Sequence, residues 1–262
     1  MKDDMHKAEA GDARFHMLDQ AFFDRDSPAL ARALIGKVLR RRWKGQWLSA
    51  RIIETEAYRL DDRGSHASLG YTHKRRALFM EHGGTIYMYY SRGGDSFNIG
   101  AAGAGNAVLI KSAYPWIDAL AGPEALALMQ AENPDAAGAV RPPHRLCAGQ
   151  TLLCRALALR VPDWDAHTFD PAELFIDDVG ESPEVLIQTT RLGIPAGRDE
   201  HLPYRFVDPA YARYCTRNPL RRGQTVPLHY CWVNRDGEVV DFQGLPPAIS
   251  GPSESDFRPL PD

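Results

Sequence analysis

Residues 46–58 read QWLSARIIETEAY, residues 85–100 read TIYMYYSRGGDSFNIG, and residues 107–114 read AVLIKSAY. These three stretches determine the architecture. Each is rich in β-branched and aromatic residues and is bounded by glycine-containing turns, the pattern of paired strands rather than helices. KVLRRRW (37–43) precedes the first stretch across Lys44-Gly45, which predicts a hairpin. The second folds back on itself through Ser91-Arg92-Gly93-Gly94-Asp95, and the turn from Gly100 to Asn106 leads into the third. Strands joined by such short links pair antiparallel.

Toward the N-terminus, Asp26-Ser27-Pro28 followed by ALARALIG predicts a capped helix with Gly36 as its stop. Helices are expected near 123–131 and 149–157, and strands at ELFIDD (173–178) and EVLIQTTRLGI (184–194). HYCWVNRDGEVVDF (229–242) predicts a hairpin around Asp236-Gly237. Helices and strands do not alternate in βαβ fashion. The fold class is therefore α+β: one domain with a curved antiparallel sheet forming an open, barrel-like core, surrounding helices and a protruding hairpin. Residues 1–19 are expected to be a polar, disordered start, 20–206 the main domain, and 207–262 a C-terminal extension packed on it. Residues 59–83 read as a polar, glycine-dotted loop with one helical turn near 76–80. Loops of that length in a compact domain are usually functional.

No run of about 18 apolar residues exists to span a bilayer, and the N-terminus lacks the apolar core of a secretion signal. The chain is expected to stay inside the cell, in the cytoplasm or, in a eukaryote, the nucleus. Cys147, Cys154, Cys215 and Cys231 form no CxxC pair and read as buried, reduced thiols. Net charge is −3, but the charges are segregated. Residues 37–51 carry Lys37, Arg40, Arg41, Arg42, Lys44 and Arg51 with no acid. Lys74, Arg75 and Arg76 form a second cluster, and Arg213, Arg217, Arg221 and Arg222 a third. Residues 161–190 hold eight acids and no lysine or arginine. Such a division predicts either a basic face for phosphates or simply a solvated charged surface.

Several familiar chemistries fail. GAAGAG (100–105) precedes a strand rather than a helix, which excludes a dinucleotide loop. His66 and His73 lack a third ligand, so no metal and no cofactor are expected, and no GxSxG elbow is present. What remains is Glu54-Thr55-Glu56-Ala57-Tyr58 at a strand end, with Tyr87, Tyr89 and Tyr90 on the next strand. Alternation places Glu54, Glu56 and Tyr58 on one face, either solvated or lining a cleft.

RIIETEAY, SHAS, HGGTIYMYYSRGG, FNIG and AVLIKSA occur in the order seen in the alkyladenine (3-methyladenine) DNA glycosylase family of mammalian type. RLCAGQTLLCRALAL and RLGIPAG…LPYRF extend the likeness over roughly residues 20–206. The resemblance implies an enzyme that flips alkylated or deaminated purines out of double-stranded DNA and hydrolyses the N-glycosidic bond. In it Glu56 matches the general base, with Glu54 as its rival, and Lys111 stands where the family usually has arginine to hold the water. The main-chain carbonyl of Leu192 matches a further water contact. Tyr58, His66 and Tyr89 match the residues around the flipped base, and Asn98 the one that discourages guanine. Arg92 falls at the hairpin position that wedges into the minor groove, beside Tyr90. A lysine next to a glutamate is expected to stay charged and to be a poor nucleophile, which favours a monofunctional glycosylase; a monomer is expected. Two alternatives stay open: a lesion-binding module without catalysis, and a nucleosidase acting on free nucleosides.

Overall fold

In a computed structural model of the chain, residues 15–91 and 93–242 are described. The organising element is the 13-residue strand β2 (Gln46–Tyr58), preceded by β1 (Val38–Trp43) across the predicted Lys44-Gly45 turn. One edge of β2 is shared by two partners. Residues 46–51 pair with β1, and residues 54–56 with β8 (Arg205–Val207). The other edge pairs with β5 (Ala107–Pro115) from Ala50 to Tyr58. Beyond β5 lie β4 (Gly94–Gly100) and β3 (Ile86–Ser91). Beyond β8 lie β7 (Val185–Thr189) and β9 (Tyr230–Asn234). β6 (Leu174–Asp177) pairs with β1. All these pairings are antiparallel, and the sheet stays open rather than closing into a barrel, so the expected α+β class is borne out.

Both faces of the sheet are covered, which explains why β2 is buried continuously from Leu48 to Ala57 although its sequence includes two glutamates. One face carries the main core. Helix Ser27–Leu34 contributes Leu30, Ala31 and Leu34, each without exposed surface, and the Thr55 hydroxyl donates to the Ala31 carbonyl at 2.9 Å. This helix begins as predicted: Asp26 accepts a bond from the Ala29 N–H at 3.0 Å. It ends before Gly36, where φ is +90° and a Cβ would lie 2.7 Å from the Glu181 carbonyl. Truncating a buried leucine such as Leu30 to alanine would cost ~2–5 kcal/mol. The opposite face packs Ile53, Ile187 and Val207 against Cys215 and Trp232 of the C-terminal segment.

Some expectations change. The 59–83 loop holds two 3₁₀ segments, Ala67–Leu69 and His73–Phe79, rather than one helical turn. The 229–242 hairpin forms its turn, but its return leg makes one bridge, Val233 to Val239. Residues 205–207 form β8, and β9, within the expected C-terminal extension, joins the same sheet. Within the N-terminal stretch, Phe15 stacks on Phe175 and the Leu18 N–H bonds the Ile176 carbonyl. The rest of the N-terminal expectation, residues 1–14, lies outside the described residues, as do residues 243–262.

The basic run at 37–51 is a clear correction. It turns inward rather than forming a phosphate-binding face. Lys37 pairs with Asp178, Arg40 with Asp177 and Asp118, Arg41 with Glu173, and Arg51 with Glu181 and Asp208. Lys44 pairs with Glu132, leaving Arg42 exposed. Four of the eight acids of 161–190, Glu173, Asp177, Asp178 and Glu181, thus serve as counter-charges to this run, and the β1–β6 pairing brings them beside it.

Candidate active site

The register of β2 against β5 breaks twice. Ile52 faces Ala113 and Glu54 faces Ser112, but Thr55 faces Ile110. Lys111 is therefore an extra residue on β5, opposite no β2 residue. A bulge of this kind redirects a side chain out of the regular alternation. The Lys111 ammonium, only 8% exposed, lies 3.7 Å from Glu56. Glu56 has no exposed surface. Its Oε2 accepts the Tyr58 hydroxyl at 2.8 Å and its Oε1 accepts the Leu192 N–H at 3.0 Å. Burial, then the neighbouring Glu56, pushes the Tyr58 phenol well above its usual range, so it remains a donor. Leu192 thus meets Glu56 directly through its N–H, a contact separate from the one its carbonyl is expected to make with the water.

Glu56 sits behind the wall of a cavity of about 510 Å³, and Tyr58, Lys111 and Leu192 carry that wall. The size lies within the roughly 300–1,000 Å³ of small-molecule sites. His66, Tyr87, Tyr89 and Asn98 complete the aromatic side. The rings of His66 and Tyr89 touch, with centroids 4.3 Å apart, and Tyr87 stacks behind Tyr89 at 5.4 Å. His66 and Tyr89 thus form one continuous aromatic wall. Burial, with Arg75 and Arg198 nearby, lowers the His66 pKa and favours the neutral ring, whose Nδ1 lies 3.0 Å from the Tyr87 hydroxyl. Asn98 is buried opposite Tyr87 on β4 and donates to the Tyr87 carbonyl at 3.1 Å, which fixes its amide at the cavity wall.

Glu54 shares the face of Glu56, as alternation predicts, but not its environment. Arg205 donates to its Oε1 at 2.6 Å, while Ser112 and both the N–H and hydroxyl of Thr216 donate to its Oε2. A carboxylate has about four acceptor positions, and four protein donors reach this one, three on Oε2 and one on Oε1. Glu54 is a structural acid.

Two residues of the site were invisible to sequence reasoning. The Arg191 guanidinium lies 4.6 Å from the centre of the Tyr58 ring, forms a two-pronged ion pair with Asp62, and donates to the Ala57 carbonyl at 3.1 Å. Arg191 stands at the start of RLGI, but its partner is 129 residues away, and no local pattern encodes that pairing. At the hairpin, Tyr90 is 66% exposed, and Arg92 lies outside the described residues. Gly94 lets the tip rest on the helix Gln150–Ala156, since a Cβ there would lie 2.1 Å from the Thr151 side chain. Among the described residues no helix is long and apolar enough to cross a membrane, and no group of three His, Cys, Asp or Glu side chains is placed to hold a metal.

Comparison with known proteins gives the family. Residues 21–212 match the model of the methylpurine-DNA glycosylase family. A protein of Pseudomonas savastanoi pv. phaseolicola, provisionally named a 3-methyladenine DNA glycosylase, is 65% identical over 218 residues, covering 83% of this chain and 97% of that one. A Pseudomonas aeruginosa protein with the same provisional name is 63% identical over 213 residues, 81% of this chain and 89% of that one. The DNA-3-methyladenine glycosylase of Mus musculus is 34% identical over 204 residues, 72% of this chain and 58% of the mouse protein. By class the chain is a DNA-repair N-glycosylase, a hydrolase of N-glycosyl bonds. It belongs to the methylpurine-DNA glycosylase family.

Proposed function

We propose that this chain acts as an intracellular monomer that removes alkylated or deaminated purines from duplex DNA, using a water activated by Glu56. The observation that carries the reading is the incomplete coordination of Glu56. Two protein donors use two of its roughly four acceptor positions, so a water on the cavity side can give its proton to the others. Lys111 at 3.7 Å donates to the same water, and the Leu192 carbonyl accepts from it.

A base inside a duplex cannot reach this depth, so the nucleotide must be extruded into the cavity. There it stacks between Tyr58 and the wall formed by His66 and Tyr89, contacts worth ~1–3 kcal/mol per base. Aromatic faces also attract a base made cationic by alkylation. The His66 N–H faces the purine 6-position, and Asn98 crowds a 2-amino group, which disfavours normal guanine. Cleavage develops positive charge on the sugar, and the buried Glu56 carboxylate both stabilises that charge and takes the proton of the attacking water. Lys111 is engaged with Glu56 rather than free to attack the sugar, so the enzyme is monofunctional. Tyr90 and Arg92 at the hairpin approach the minor groove and fill the space the base leaves.

Purified protein incubated with duplexes carrying 3-methyladenine or hypoxanthine tests this reading. Release of the free base with an intact abasic strand is the expected result. Strand cleavage through a trapped amine would overturn monofunctionality. Hydrolysis of free nucleosides at a comparable rate would favour a nucleosidase, and binding without release a silent module.

A further inference from the structure

The cavity does not end where the family match ends. Thr216 lines its wall and donates to Glu54, yet it lies beyond residue 212, the last position matched by the family model. Between Asp208 and Asp236 the chain has no acid and carries five arginines; Arg235 donates to the Ala33, Ile35 and Pro183 carbonyls, and the other four are Arg213, Arg217, Arg221 and Arg222. All four are exposed, and among the described residues none is in an ion pair. This is the reverse of the 37–51 run, whose cations are nearly all neutralised.

The segment is also firmly held. Ala212 and Cys215 are buried and Leu220 packs against the second core. The Arg217 carbonyl accepts a bond from Arg205 at 2.6 Å. Tyr214 lies against Tyr114 at 5.1 Å and beneath the Arg213 guanidinium at 4.7 Å. Inward residues at 212, 215 and 220 thus alternate with outward arginines at 213, 217, 221 and 222. Unpaired guanidiniums on a fixed backbone, with Thr216 among them facing the cavity, suit a ligand that lies across the cavity mouth and carries regularly spaced anionic groups.

We infer that Arg213, Arg217, Arg221 and Arg222 form a phosphate-binding surface that grips the duplex beside the extruded nucleotide. The inference rests on the proposed function, because only a base drawn out of a duplex brings phosphates to the cavity mouth. The arginines position the duplex and take no part in bond breaking.

The test is the salt dependence of binding to an undamaged duplex, which needs no excision. The variant Arg213→Gln/Arg217→Gln/Arg221→Gln/Arg222→Gln should bind at least about tenfold more weakly at low salt. Its log K against log salt slope should fall by about 0.9 for each phosphate left without its arginine, so by about 2 to 4 in all. The corresponding fourfold arginine-to-lysine variant should recover most of both, and thermal melting of both variants should match the parent. An unchanged slope in the glutamine variant would overturn the inference. So would a lysine variant as weak as the glutamine one, since the loss would then come from packing on Tyr214 rather than from charge. A parent protein that binds duplex but releases no base fails the functional reading and leaves this measurement interpretable on its own.

Discussion

Glu54 and Glu56 stand two residues apart on one strand, on one face, and neither has any exposed surface. Four donors close around the first, three on Oε2 and the Arg205 guanidinium on Oε1. The second receives two donors, has a lysine at 3.7 Å, and stands behind Tyr58, Lys111 and Leu192, which line a cavity. Burial therefore says little about the role of a carboxylate. The difference lies in how many of its acceptor positions the protein has already filled: a saturated acid holds the fold, and an unsaturated one at a cavity wall is free to act.

The greatest change expected from disturbing this pair is in rate. Glu56→Gln should lower single-turnover excision by about two to four powers of ten while the melting temperature and lesion-duplex binding stay close to those of the parent. A variant within about tenfold of the parent would remove Glu56 from the chemistry. Glu54→Gln should do the opposite, destabilising the protein by about 3–5 kcal/mol because Arg205 is left buried without its counter-charge. Chemical denaturation measures this, and a stability loss below about 1 kcal/mol would show that the Glu54 cluster is dispensable.

A milder substitution probes the same contrast. Tyr58→Phe keeps the ring and removes one donor from Glu56; hydrogen bonds to charged groups are worth about 1.5–3 kcal/mol. Excision should fall roughly ten- to hundredfold with no comparable loss of stability, read as single-turnover rate against thermal melting. The smallest effect concerns pH. The His66 pKa is lowered by burial and by Arg75 and Arg198 from its ordinary 6.5. Below that value the unfolded chain takes the proton before the folded one, so stability declines as the pH drops toward the lower folded-state value. His66→Gln should flatten this part of the stability profile between about pH 7 and 5, and an unchanged profile would show that His66 plays no part in it.

Much of the sheet was legible because its signals are local. The β1–β2 turn at Lys44-Gly45, the Asp26 cap and the stop at Gly36 each depend on residues next to one another. The candidate site was legible as a cluster, since Glu56, Tyr58, Tyr87 and Tyr89 sit on strands that are close in sequence. What stayed hidden was the pairing of distant charges. Nothing in KVLRRRW announces that Arg40 and Arg41 will meet Asp118, Glu173 and Asp177, or in the next strand that Arg51 will meet Asp208, because those encounters depend on β6 docking beside β1 and on β8 beside β2. The same holds for Arg191 with Asp62. A basic run therefore has no fixed meaning until the sheet order is known, and the inward 37–51 run and the outward 213–222 run show both outcomes in one chain.

The extra residue in β5 separates two jobs that strands usually combine. Lys111 faces no β2 partner, so the ladder on either side of it does not depend on its identity. Replacing it with arginine would exchange a point donor for a forked one without asking the neighbouring strands to re-register. The sheet can be inherited unchanged while the side chain beside Glu56 is exchanged, and a single codon is enough to explore the alternatives.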